Sequence, residues 1–164
     1  MRNNRERLEQ LRQLAILDSS PEQVYDDLSR LLVHSLDVPI GMVNLLDTER
    51  DWFKACVGLP LTESPADTSF CEVFFANDER SIVIEDTRAD PRFAQHPLVR
   101  GMPFIRFYAA VRLVVSGHTV GTLCAYDVKE RRLDSVQLQA LQEMAVATVA
   151  ALEAAVRGPA PPAS

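Results

Sequence analysis

The sequence predicts an α+β domain built on a mostly antiparallel sheet, and three observations carry that expectation. Residues 105–127, IRFYAAVRLVVSGHTVGTLCAYD, read as two strands joined at Ser116-Gly117-His118. Gly117 there supplies the positive φ that tight hairpin turns need. Residues 39–47 and 52–58 are a second pair of strand-like runs, separated by the polar turn 47–51. Amphipathic helical segments flank the strands, and hairpins rather than βαβ units connect them. The flanking helices are expected to cover one face of the sheet. The long connections are left to cover the other face and enclose a pocket.

Taken in order, residues 4–17 form the first expected helix, with Leu8, Leu11, Leu14 and Ala15 on one stripe. A second helix is expected to start at Ser20, because Pro21 suits the first helical position and Ser20 with Gln23 has capping-box spacing. Its apolar stripe is Val24, Leu28, Leu31, Leu32 and Leu36, and Pro39 ends it. The first hairpin follows. Ser69 then opens a short helix, with Glu72 at capping-box spacing and Cys71 in the first turn. Residues 82–85 read as a short strand. Residues 86–103 are a long irregular connection with three prolines, expected to hold one helical turn near Phe93. Connections of this length are often functional. In the second hairpin, Phe107, Ala109, Val111, Leu113 and Val115 form an apolar face. Arg106, Tyr108, Ala110, Arg112 and Val114 form a mixed face. The last helix starts at Asp134, with Gln137 as capping partner and Leu133 stapled to Leu138. Leu138, Leu141, Met144, Ala145, Thr148, Leu152 and Ala155 make its stripe, and Gly158 is its expected stop. A single domain over residues 4–157 is expected, with 158–164 as a disordered Pro/Ala-rich tail.

The chain has 164 residues, enough for one domain with a sizeable core, and 47% are hydrophobic. The net charge of −6 argues against nucleic acid or an anionic membrane as partner. No apolar run is long enough for a transmembrane helix, and the polar start MRNNRERLEQ lacks a signal-peptide centre. A cytoplasmic location is the expectation. Cys56, Cys71 and Cys124 lack metal-type spacing and are expected to be free thiols.

The segments ILDSSPEQVYDDLSRL, PIGMVNLLD, DWFKACVGL, TSFCEVFF, DTRADPRFAQHPLVRGMPFIRFYA and the second hairpin, in this order, resemble the GAF domain family from about Leu8 to Leu152. The resemblance implies a six-stranded antiparallel sheet with helices behind it and a ligand cavity in front. It implies a small-molecule-sensing regulatory domain without its own catalytic output, acting as a dimer beside a histidine kinase or diguanylate cyclase partner. Neither partner domain is present in the sequence. The cyclic-nucleotide pattern of some members is not recognisable, and Cys71 is followed by Glu72 rather than by the histidine usual at bilin-bearing cysteines. No cofactor is assigned. Two other functions stay open, a thiol-dependent free methionine-R-sulfoxide reductase and a ligand-free dimerisation module.

Several residues are candidates for ligand contact. Near a helix N-terminus a Cys71 thiolate is stabilised by free N–H groups, which favours redox sensing or covalent attachment. Packing beside Phe70 is the competing role and the expected one. Residues 88–112 carry five arginines and a single acid, Asp90. Arginine forks bind carboxylates and phosphates. If the mixed face fronts the cavity, Arg106, Tyr108 and Arg112 project together, with Thr122, Cys124 and Tyr126 beside them, and an anionic ligand follows. Alternatively the arginines pair with Glu85, Asp86 and Asp90 and fix the loop. Trp52, Lys54 and Cys56 share one strand face, with Asn44 fronting the same region, and Phe93 lies in the long connection. No histidine joins a catalytic or metal constellation, and His96 is expected to be structural. The near-heptad stripes of the flanking helices suit a homodimer as well as a covering layer.

Overall fold

The computed structural model describes residues 1–157, and the expected stop at Gly158 and the tail lie outside them. Four α-helices, α1 (Arg5–Gln13), α2 (Gln23–Leu36), α3 (Pro97–Arg100) and α4 (Ser135–Arg157), and three short 3-10 helices, Ala66–Thr68, Phe70–Phe75 and Thr87–Ala89, accompany six strands. The strands are β1 (Ile40–Leu46), β2 (Arg50–Val57), β3 (Glu63–Pro65), β4 (Ser81–Ile84), β5 (Phe107–Val115) and β6 (His118–Asp127). They form one antiparallel sheet in the order β3-β2-β1-β6-β5-β4. The two expected hairpins therefore lie side by side, joined where β1 runs against β6. Gly121 is required at this seam: a Cβ there would stand 2.2 Å from the Asn44 carbonyl oxygen. None of the described helices is long and apolar enough to cross a membrane.

Period-2 alternation sorts β5 as expected. Phe107, Ala109, Val111, Leu113 and Val115 join the core under α1, α2 and α4. Tyr108 and Ala110 join a second core on the opposite face, with Phe70, Phe74, Phe93 and Cys124. The turn contains only Ser116 and Gly117, both at positive φ (50° and 81°), and His118 already pairs with Val115. On α4 the Asp134–Gln137 capping box forms, with reciprocal bonds of 2.7 and 3.1 Å.

Four expectations are corrected. Helix α2 starts at Gln23, not Ser20, because the Ser20 carbonyl accepts from Lys54 Nζ at 2.5 Å and the chain wraps that ammonium before the helix begins. Its inward stripe is Tyr25, Ser29, Leu32 and Leu36, so Val24 and Leu31 are left about half exposed (48% and 50%). Ala15 turns to φ 52°, ends α1 early and faces outward, and Ile16 takes its place in the core. The helical turn expected near Phe93 lies instead at α3, while residues 91–95 form turns.

Candidate functional site

The sheet face away from the long helices carries a cavity of about 100 Å³. Met42 and Asn44 of β1, Asp51 and Phe53 of β2 and Tyr126 of β6 form its floor. Residues from the 59–70 segment, with Leu98 and Ile105, roof it. The two roof segments are tied by His96. Its Nδ1 accepts from the Leu98 N–H at 3.0 Å, so Nε2 carries the proton and donates to the Thr68 carbonyl at 3.2 Å. The His96 ring also stacks on Phe70 with centroids 4.1 Å apart. Burial lowers its pKa, which keeps the ring neutral. His96 thus links the 59–70 segment to the start of α3.

One end of the cavity is acidic and already balanced. Asp51 Oδ2 accepts from Ser69 Oγ at 2.5 Å and from Asn44 Nδ2 at 3.1 Å. Its Oδ1 lies 3.0 Å from Arg2 Nη2, an ion pair without well-aligned hydrogen-bond geometry. Arg2 also pairs with Glu72 at 2.8 Å and donates to the Asp47 carbonyl. The Arg2 carbonyl in turn accepts two bonds from Arg7 of α1, at 2.6 and 3.0 Å. Both guanidiniums lie over the Phe75 ring. Burial raises the Asp51 pKa, against the opposing pull of Ser69, Arg2 and Asn44. Burial, then the nearby Arg2 charge, brings Arg7 down to about 10.

Behind the cavity floor lies a closed thiol cluster. Cys71 Sγ is 3.0 Å from Thr122 Oγ1, 3.1 Å from Tyr108 Oη and 3.7 Å from Asn44 Nδ2. Burial acts to raise the Cys71 thiol, but hydrogen bonds from Cys124, Thr122 and Tyr108 outweigh it and hold the pKa below its ordinary value. The neighbouring Cys124 thiol is pushed well up by burial and by Cys71. Both sulfurs are fully buried, and all three cysteines are free. Among the described residues, no three His, Cys, Asp or Glu side chains converge as a metal-binding set.

Of the sequence-predicted residues, Asn44, Cys71, Phe93, Tyr108, Cys124 and Tyr126 come together here, with Phe93 stacked on Phe70 at 5.4 Å. Four others lie elsewhere. Trp52 and Lys54 face the helix layer: Trp52 is in its core, and Lys54 pairs with Glu22 at 2.6 Å and sits over the Tyr25 ring. A register shift in the β1–β2 pairing leaves Lys54 without a partner across from Val43 and Asn44, and turns Cys56 to the other face. Arg106 donates to the Val99 and Ile105 carbonyls. Arg112 clamps the Glu79 and Asn77 carbonyls and Thr119 Oγ1, with its guanidinium over Phe74. Arg88 and Arg92 pair with Asp86 and Asp90. The arginine window therefore fixes loops, and among the described residues no basic side chain lines the cavity. Sequence reasoning missed Asp51 and Arg2. Asp51 reads as the end of a polar turn, and Arg2 lies in a charged terminal stretch with no periodic signal.

A six-stranded antiparallel sheet, helices on one face and a loop-roofed cavity on the other define a sensor-type signalling fold. The chain belongs to the GAF domain family, whose sequence pattern matches residues 20–152. It is 32% identical over 120 residues to a cyclic di-GMP phosphodiesterase from Pseudomonas aeruginosa, a match covering 73% of this chain and 20% of that protein. The chain thus spans about a fifth of that relative's length. The GAF domain of an Acinetobacter phosphoenolpyruvate-protein phosphotransferase superposes with a TM-score of 0.66 at 16% identity, covering 96% of this chain and 98% of the other. Free methionine-R-sulfoxide reductase from Neisseria meningitidis, solved with its substrate, gives a TM-score of 0.66 at 21% identity, covering 94% and 91%.

Proposed function

We propose that the chain is a small-molecule-sensing regulatory module without catalytic output of its own. It reads ligand occupancy in the cavity and passes the state to its terminal helices. The carrying observation is that Asp51 both lines the cavity and pairs with Arg2, whose carbonyl holds Arg7 of α1. A ligand that binds better to one arrangement of this Asp51–Arg2–Arg7 chain shifts the docking of the N-terminal segment. The module works as a homodimer through α2 and α4. Its output partner is a signalling enzyme of the cyclic di-GMP or histidine kinase type, a reading supported by the family and by the phosphodiesterase relative.

The test is native mass spectrometry of freshly purified protein, followed by hydrogen exchange with any ligand found. The expected result is excess mass that is released on denaturation, and altered exchange in residues 2–13 when the ligand is returned. A bare chain mass, with unchanged stability across a metabolite panel, overturns the reading and leaves a ligand-free dimerisation module.

The Cys71–Cys124 cluster supports a second reading, a thiol-dependent reductase of free methionine-R-sulfoxide. Both sulfurs are sealed from solvent, and a substrate has to reach a thiolate to react. The expected result is no turnover by fully reduced protein. Turnover that disappears in Cys71→Ser would establish the enzyme instead.

A further inference from the structure

We propose that the cavity takes a small molecule, or the head group of a larger one, that presents uncharged N–H donors of the primary-amide class to Asn44. This rests on the sensor reading and specifies its ligand. Asn44 is 1% exposed and lines the cavity, yet its Oδ1 has no hydrogen-bond partner. A buried acceptor left without a donor costs about 1–3 kcal/mol, which a bound donor recovers. Exchanging the amide oxygen and nitrogen does not remove the orphan. Nδ2 is fixed by its bond to Asp51 Oδ2, and a flipped amide would set oxygen against carboxylate.

The surroundings select among donors. An anion meets the Asp51 carboxylate and no basic lining residue. A full cation finds the Asp51 carboxylate already paired with Arg2, which Glu72 and the Asp47 carbonyl hold in place, so it gains no free counter-charge. A neutral N–H group faces neither penalty. Phe53, Phe70, Leu98 and Ile105 offer apolar wall to a short hydrocarbon portion. The cavity volume of about 100 Å³ corresponds to roughly three waters, which suits a head group of amide size.

The probes are propionamide, propionate and n-propylammonium, titrated into the whole chain while backbone amide NMR signals of Asn44, Phe70 and Tyr126 are followed. The expected result is saturable shifts with propionamide, and affinity weaker by roughly tenfold or more for the two charged probes. Asn44→Leu removes the orphan acceptor at similar volume, and is expected to lower propionamide affinity by roughly tenfold. Three results overturn the proposal: no saturable response to propionamide, a charged probe binding as well as the amide, or unchanged affinity in Asn44→Leu. The ranking of the three probes uses the unmodified chain, so the proposal stays testable if the variant does not fold. If native mass spectrometry instead finds a retained anion, this ligand class falls while the sensor reading stands.

Discussion

Asp51 is the residue on which the cavity and the N-terminal segment meet. Its carboxyl pKa is raised by burial, so the proton is held more tightly in the folded chain than in the unfolded one. Stability from this group is therefore fully present below the unfolded carboxyl pKa and is lost as pH rises through the folded one. Arg2 is one of the groups that limit the loss. Arg2→Ala is expected to cost about 3–5 kcal/mol near neutral pH, since it leaves Asp51 buried without its ion-pair partner. The deficit should shrink as pH falls into the carboxyl range; urea titrations across that range check it, and a deficit independent of pH would detach Arg2 from Asp51. These residues also mark the limit of sequence reading. Cys71, Tyr108, Cys124 and Tyr126 were legible because alternation and a helix cap place them on one face. Arginine is read as a ligand group, but Arg106 and Arg112 find unpaired carbonyls nearby and bond to those. Asp51 carries no signal of its own, because only its burial and its distant partners set it apart.

At the scale of elements, most boundaries follow from local chemistry. The β5–β6 hairpin and the capped start of α4 are both set by residues within a few positions. Asp134→Ala removes the side-chain half of that cap and is expected to destabilise the chain by about 1 kcal/mol, measured by urea denaturation. A destabilisation near zero would mean that packing on the sheet alone fixes the start of α4. Where local signals failed, a tertiary contact had overridden them. Lys54 draws the Ser20 carbonyl and Glu22 around its ammonium, which displaces the expected cap of α2 and changes which face of the helix turns inward. The same lysine occupies the register shift in β2, so strict alternation mis-sorts Cys56. β3 is three residues long and ends at Pro65, too short for periodicity to reveal.

At the scale of the whole molecule, the two hairpins, the helix layer and the existence of a pocket were all expected, but of the pocket's lining only Asn44 and Tyr126 were. The rotation of α2 leaves Val24 and Leu31 half exposed, and α4, which packs beside it, exposes Val136 and Val146 at 74% and 61%. The proposed homodimer covers this surface. Leu31→Glu with Val146→Glu is expected to convert a dimer to a folded monomer in sedimentation analysis; a parent chain that is monomeric at all concentrations removes the dimer, and a dimer unaffected by both charges places its interface elsewhere. The seam between β1 and β6 carries a kinetic consequence as well. Each hairpin closes over a short loop, but the seam sets Ile40 opposite Tyr126 and cannot form until most of the chain has been gathered. Its loop-closure entropy must be overcome before its contacts reward it. The two hairpins are therefore expected to form early, as locally encoded units, with their joining as the slower step. The cavity floor draws on β1 and β2 from one unit and β6 from the other. A binding-competent pocket therefore appears only with that last step, and ligand added during refolding reports on completion of the fold rather than on its beginnings.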